Sequence, residues 1–463
     1  MKDNERTLDP RAIESLQSVF RGDVVLPGNE DYDAARVVWN GMIDRYPALV
    51  VRPMDAQAVA SAVGFARDQD LVIAVRAGGH SVGGFSTCDG GMVIDLSRMR
   101  GATVDPERRE ARTNGGAHLG ELDRAVQEFD LVCPVGVVGH TGVAGLTLGG
   151  GMGRLQRRFG FTIDNLLSVD LVTADGRTLQ AGEEENPDLF WGMRGAGANF
   201  GIVTSFRFRV HPLGRAVTHG WVAHPIGRAH DVAAMYGELA TSGPDELWLS
   251  LGFGIAGPDD PWPELVGQPI VRLGVCHCGP EDAGERDVQA LRGNGPLADT
   301  IERRSYLAVQ AQSDEEMAWG KRFYMKGGYG NDLTPELVEA CVEGIRAAPS
   351  GGCTIGFWAQ GGATAQVPAD AMAFTGRDAA YWIGVEAFWE DPADDERHMD
   401  WGRAAWDALT PYTTAGHYVN DVVETGERVV RAIYGDDKYE RLVELKRRYD
   451  PDNVFRLNQN VKP

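Results

Sequence analysis

One histidine sits among four glycines in Val75-Arg76-Ala77-Gly78-Gly79-His80-Ser81-Val82-Gly83-Gly84. Glycine lets backbone approach a ligand closely. Successive N–H groups in such turns form anion-binding nests, and Arg76 adds a fixed positive charge. An apolar run, Leu71–Val75, leads in. The stretch reads as a strand entering a phosphate cradle with one imidazole on its rim. Gly79-His80-Ser81-Val82-Gly83 also matches the G-x-S-x-G elbow of serine hydrolases, which needs a helix to follow. Phe85–Gly91 and the strand-like Met92–Leu96 leave no place for that helix. The plain alternative is a glycine-rich turn with a surface histidine.

A second glycine stretch runs from Cys133 to Gly153, with eight glycines in 21 residues. It cannot be one regular helix. It reads as extended backbone lying close to something flat or anionic, with one short helix. Arg194-Gly195-Ala196-Gly197-Ala198-Asn199-Phe200-Gly201 is a third such turn. None of these carries G-x-G-x-x-G, which disfavours a Rossmann nicotinamide enzyme, and the Walker A lysine is absent. Elsewhere, Glu386 interrupts the apolar run Tyr381–Trp389. Strand alternation puts Trp382, Gly384 and Glu386 on one face. A carboxylate among aromatic rings is desolvated, which raises its pKa toward that of a general base; an outward-facing edge charge is the plain alternative. Cys276-His277-Cys278 has no second ligand cluster and reads as strand, so no metal is expected.

These groups need a frame. Asp9-Pro10 opens a helix over 9–20. Ala48–Arg52, a helix through Val59, Val63 and Ala66, and Leu71–Val75 make a β-α-β unit. A helix follows from Leu119 to Phe129, then strands at Leu167–Thr173 and Ile202–Val210. After His211-Pro212-Leu213-Gly214 the texture changes, and nine of the eleven tryptophans follow. Alternating runs at Leu247–Phe253, Val271–Cys276, Thr354–Gln360 and Tyr381–Trp389 interleave with helices near 281–293, 335–347 and 398–409. That pattern predicts a second α+β unit on an antiparallel sheet.

The chain has 463 residues, enough for two or three domains, and a formal net charge of −22. That charge disfavours a nucleic-acid or anionic-membrane partner. No run of about 18 apolar residues is present. The polar start, Met1–Arg6, lacks an apolar signal region, so a cytoplasmic protein is expected. Six cysteines are too few for a disulfide framework.

Taken together, the motifs resemble the FAD-linked oxidases of the vanillyl-alcohol-oxidase type, in their berberine-bridge-enzyme-like branch. The marks are Arg76-x-Gly78-Gly79-His80, Gly142–Gly151, Asp164-Asn165-Leu166, Asp188-Leu189-Phe190-Trp191, Arg194-Gly195, Asn199–Thr204 and Tyr449-Asp450-Pro451-x-Asn453-x-Phe455-Arg456-x-Asn458-Gln459-Asn460. The resemblance implies an α+β fold: a two-part FAD domain, 1–213 and 418–463, around a substrate domain at 214–417 built on an antiparallel sheet flanked by helices. It implies FAD held by Arg76, Gly78, Gly79, Ser81 and Gly84, by Gly136, Val137, Gly142, Gly145, Gly149, Gly150 and Gly153, and by Asn165, Gly201, Ile202, Val203, Asn458 and Asn460. His80 matches the histidine that bonds the flavin 8α-methyl carbon, and Cys133 is offered as a second link, to flavin C6.

The implied activity is oxidation of a small aromatic or polycyclic secondary metabolite, with molecular oxygen reoxidising the flavin. A non-redox FAD-holding protein is the alternative, and a monomer or homodimer is expected. Tyr418 matches the phenolic base of sugar-oxidising members, beside Glu386 as the other candidate; Tyr324 and Lys326 are expected to orient substrate. Two departures stand out. Gly356 occupies a position where an oxygenating member carries glutamate. Gly416-x-Tyr418-x-Asn420 continues with Asp421, where an aromatic residue is usual.

Overall fold

The computed structural model describes residues 8–258, 260, 262–293 and 295–463. The polar start Met1–Arg6 lies outside them. Asp9 accepts a hydrogen bond from the Arg11 N–H at 2.9 Å and Pro10 opens the Pro10–Val19 helix, which buries Ile13 and Leu16. Asp55 likewise caps Ala56–Asp68, whose buried Ala58, Val59, Ala62, Val63 and Ala66 recur at helical spacing. That face lies on a four-stranded sheet, ordered 22–25, 49–53, 92–95, 73–76; its last three strands are parallel. A five-stranded antiparallel sheet follows, ordered 102–105, 110–114, 202–209, 166–172, 178–182.

The largest sheet has eight antiparallel strands, including Leu247–Ile255, Cys353–Ala359, Tyr381–Trp389 and Arg322–Gly330 as consecutive neighbours. Period-2 alternation gives it two different faces. Ile355, Phe357, Ile383, Val385 and Ala387 pack under the helices Ala229–Ser242, Pro335–Arg346 and Asp395–Leu409. The residues between them, Trp358, Trp382 and Glu386, turn the other way, toward the glycine-rich segments. Sequence patterning anticipates most of these strands. Arg322–Gly330 escapes it, because Lys326, Gly327, Gly328 and Gly330 break the apolar alternation.

The C-terminal helices Glu427–Tyr434 and Asp436–Tyr449 pack back onto Leu189, Phe190 and Met193 in one core. Lys446 is fully buried there. Its ammonium donates to Asp450 Oδ2 at 2.6 Å and to the carbonyls of Asn199 and Phe455, each at 2.9 Å. Asp450 in turn accepts from the Val454 and Phe455 N–H groups at 2.7 and 2.9 Å. A buried charge is tolerable only when paired and hydrogen-bonded, and this knot aims residues 455–459 at the cavity described next.

Candidate active site

The glycine-rich segments and the free face of the large sheet enclose a cavity of about 450 Å³. Residues 77–82, 136–149 and 195–203 contribute one side, the sheet another, and 418–422 and 455–459 close it. Gly78 is required by close approach: a Cβ there would stand 2.1 Å from the Gly142 nitrogen. Gly79 has φ +70°, which L side chains rarely adopt, so the turn into His80 favours glycine.

His80 is held from both sides. Its ring stacks on Trp39 at 4.8 Å and meets Trp319 edge-on at 6.3 Å. Its Nε2 lies 2.7 Å from His140 Nδ1, and His140 Nε2 lies 3.3 Å from the Asp314 carbonyl. A carbonyl only accepts, so the network assigns the His140 proton to Nε2 and leaves Nδ1 as an acceptor. His80 Nε2 then carries hydrogen, and His80 Nδ1 keeps a bare lone pair. Asp314 is fixed in turn by the Gly139 N–H, 2.6 Å from its carboxylate. Burial, then the nearby His140 and His118, push the His80 pKa down to about 3, so its ring is neutral. A neutral imidazole with one free nitrogen is a nucleophile.

The sheet side carries acids among aromatic rings. Glu386 lines the cavity, and burial, reinforced by Glu316, pushes its pKa up to about 7. Asp421 also lines it and accepts a hydrogen bond from Trp382 Nε1 at 2.7 Å. Burial raises the Asp421 pKa well above the usual carboxylate range; the indole bond opposes this and Glu386 adds to it. The Tyr418 oxygen accepts from the Gly151 N–H at 3.0 Å and from Asn420 Nδ2 at 2.9 Å. Burial, with Asp421 second, still pushes its pKa up to about 12, so the phenol keeps its proton near neutral pH. Trp358 meets Trp382 edge-on at 5.3 Å, and Phe323 and Met325 complete this wall.

His80, Gly78, Gly79, Ser81, Gly136, Val137, Gly142, Gly145, Gly149, Gly201, Ile202, Val203, Asn458, Glu386 and Tyr418 all line this one cavity. Several other expected site residues do not. Tyr324 and Lys326 belong to the opposite face, because they alternate with the cavity-facing Phe323 and Met325. They border a separate surface cleft with Arg403, Trp406 and Asp407, where Lys326 pairs with Glu424. Arg76 offers the cavity no charge: its guanidinium is buried against Asp95 at 2.7 Å and the Val37 carbonyl at 2.9 Å. Cys133 is fully buried in the apolar core with Leu119, Leu122 and Val135, and burial raises its thiol pKa. It is not among the residues that line the cavity.

Gly84 packs on Ile43, and Gly150 on Phe374 and Tyr418. Gly153 packs on the Val135 carbonyl. Asn165 ties a turn together through the Phe159 and Phe161 carbonyls and His211. Asn460 lies off the lining, although its neighbour Gln459 is on it. Trp382 joins the site as strand alternation implies, and Trp39, Met317, Phe323, Met325 and Trp358 join it with no signal in the sequence. Asp421 had shown only as a break in a motif.

The lining fits FAD. Glycine backbone supplies close N–H groups, and no lysine or arginine occurs among the described lining residues, so an anionic group would be met by main chain. Asn458 Oδ1 and Gln459 Oε1 are buried acceptors without a partner among the described residues, which suits a hydroxyl-bearing ligand. When bound, FAD supplies a two-electron hydride acceptor.

Residues 47–182 match the FAD binding domain family, and residues 417–462 match the family described as berberine and berberine like. The (R)-6-hydroxynicotine oxidase of Paenarthrobacter nicotinovorans is 31% identical over 461 residues, 96% of this chain and 97% of that one. An FAD-linked oxidoreductase of Dictyostelium discoideum is 30% identical over 470 residues, 100% of this chain and 99% of that one. Among solved structures, 6-hydroxy-D-nicotine oxidase from Arthrobacter nicotinovorans matches with a TM-score of 0.83 at 30% identity, over 96% of this chain and 98% of that one. BBE-like 1 of Physcomitrella patens shares the fold, with a TM-score of 0.87 at 24% identity over 97% and 99%. With its glycine cradles, its part-buried imidazole and its closing C-terminal segment, the chain belongs to the berberine-like family of FAD-linked oxidoreductases.

Proposed function

We propose that this enzyme is an oxidase carrying FAD bonded to His80 Nδ1, and that it oxidises a small molecule with an aromatic or otherwise apolar body, oxygen being the final acceptor. Residues 1–213 and 418–463 serve the cofactor and 214–417 the substrate. The observation that carries the reading is one cavity lined by both His80, whose Nε2 is engaged by His140, and a desolvated Glu386. His140 holds the proton on His80 Nε2 and so directs reactivity to Nδ1. Glu386 takes a proton from the substrate O–H or N–H; a carboxyl with a pKa of about 7 is matched to that task. Tyr418, still protonated, donates to the substrate and orients it. The aromatic wall excludes water from the reacting bond. Relatives of this fold named for oxidation of 6-hydroxynicotine and of oligosaccharides support small-molecule oxidation as the class.

The test is anaerobic mixing of the holoenzyme with phenols, sugars, amines and polyketide-like ketones, followed by air. A substrate should bleach the flavin and air should restore the colour. Turnover of a compound with the flavin oxidised throughout would replace this reading with a non-redox one.

A further inference from the structure

The cavity is electrically lopsided. Glu386 and Asp421 line it, while its described lining residues include no lysine or arginine and its histidine is held neutral. Asp421 has one oxygen satisfied by the Trp382 indole. Glu386 has no hydrogen-bond partner among the described residues. Its cross-strand neighbours, Met325 and Thr354, bring no charge. Two carboxyl groups in one largely apolar pocket resist ionising together, because each charge is desolvated and each repels the other. A positive occupant would offset both penalties and let the pair ionise.

The aromatic wall agrees with this. Trp382 is able to lie across the sheet because residue 384 is glycine: a Cβ there would stand 2.3 Å from Trp382 Cη2. In that pose the indole both donates to Asp421 and stands edge-on to Trp358. Ring faces beside carboxylates attract cations, more strongly where water is excluded. A neutral sugar or phenol gains hydrogen bonds from the acid pair but no charge pairing, and an anion is repelled.

We propose that the cavity selects an organic cation, a protonated amine or nitrogen heterocycle with an aromatic or apolar body, held between Glu386 and Asp421. This rests on the cavity being the substrate site of a flavin oxidase. Binding carries a proton signature. Burial favours the protonated forms of Glu386 and Asp421, and an arriving cation favours their ionised forms. The acid Glu316 lies near Glu386, and the phenols Tyr418 and Tyr329 lie near Asp421; none supplies a positive charge. Cation binding therefore releases protons, and affinity rises as pH climbs toward 7.

The experiment uses anaerobic holoenzyme titrated with 2-phenylethylamine, its permanently charged N,N,N-trimethyl analogue, 2-phenylethanol and 3-phenylpropionate. Binding is read from flavin absorbance and from calorimetry in two buffers of different ionisation enthalpy. Both cations should bind at least about 10-fold tighter than the alcohol, a difference of about 1.4 kcal/mol, with proton release. The propionate should bind weakest. Glu386→Gln and Asp421→Asn should each reduce the preference for the cation. Proton release by the unmodified protein is a readout independent of whether either variant folds. Alcohol binding as tight as cation binding, or no proton release, overturns the proposal. Dithionite reduction and air reoxidation of the same sample report on the flavin separately, so loss of the cation preference is distinguishable from loss of the oxidase reading.

Discussion

Replacing Glu386 by glutamine should make the protein more stable, and only at high pH. The carboxyl has a pKa of about 7 in the folded protein against 4.5 for an ordinary glutamate, chiefly through burial. Below pH 4.5 the group is protonated whether the chain is folded or not, so it costs nothing. Between pH 4.5 and 7 the unfolded chain gives up the proton while the folded chain retains it, and the folded state loses relative stability. Above pH 7 the loss is complete. At 1.36 kcal/mol per pKa unit it amounts to about 3 kcal/mol, a ceiling because water can enter the cavity. Glutamine keeps the shape and never ionises. Glu386→Gln should therefore match the parent near pH 4.5 and exceed it by up to about 3 kcal/mol at pH 8 to 9. Denaturant unfolding followed by tryptophan fluorescence at both pH values measures this. A variant less stable at pH 8, or an equal offset at both pH values, would refute the burial argument. The same variant should reduce its flavin with substrate on the order of 100-fold more slowly, since it has lost its base.

Tyr418→Phe removes the phenol that accepts from Gly151 and Asn420; stopped-flow reduction should slow by about 10-fold or more through lost orientation while FAD stays bound. His140→Ala takes away the acceptor on His80 Nε2, and acid precipitation soon after cofactor addition should release more FAD from the variant than from the parent. Cys133→Ser puts a hydroxyl into an apolar core: the free energy of unfolding should fall by about 1–3 kcal/mol with flavin attachment unchanged. Arg76→Met leaves the buried Asp95 carboxylate paired only with the more distant Arg52 guanidinium, at 3.3 Å, and should cost up to about 3 kcal/mol, in part recovered in Arg76→Met/Asp95→Leu.

The glycine cradles and His80 are legible in the sequence because glycine density and an isolated imidazole are local signals. Glu386 is legible because a carboxylate interrupts an apolar strand, and alternation alone aligns it with Trp382. What sequence leaves hidden is pairing across distance. Arg76 looks like a phosphate ligand until the fold brings Asp95 against it from the adjacent parallel strand. Tyr324 and Lys326 are misplaced by one step of strand parity, in a strand whose glycines erase the periodicity that would have set its faces. Cys133 sits in irregular backbone, where no period says which way a side chain points. Asp421 registers only as a departure from a motif; its meaning needs Trp382, 39 residues away, at 2.7 Å.

The central claim is that His80, and only His80, carries the cofactor. Trypsin isolates it in the peptide Ala77–Arg98, and Cys133 in Ala125–Arg154. Mass spectrometry of the denatured, digested holoenzyme should find the first peptide heavier by one FAD less two hydrogens and the second unmodified. Flavin recovered wholly free, or attached to the Cys133 peptide, would contradict the account.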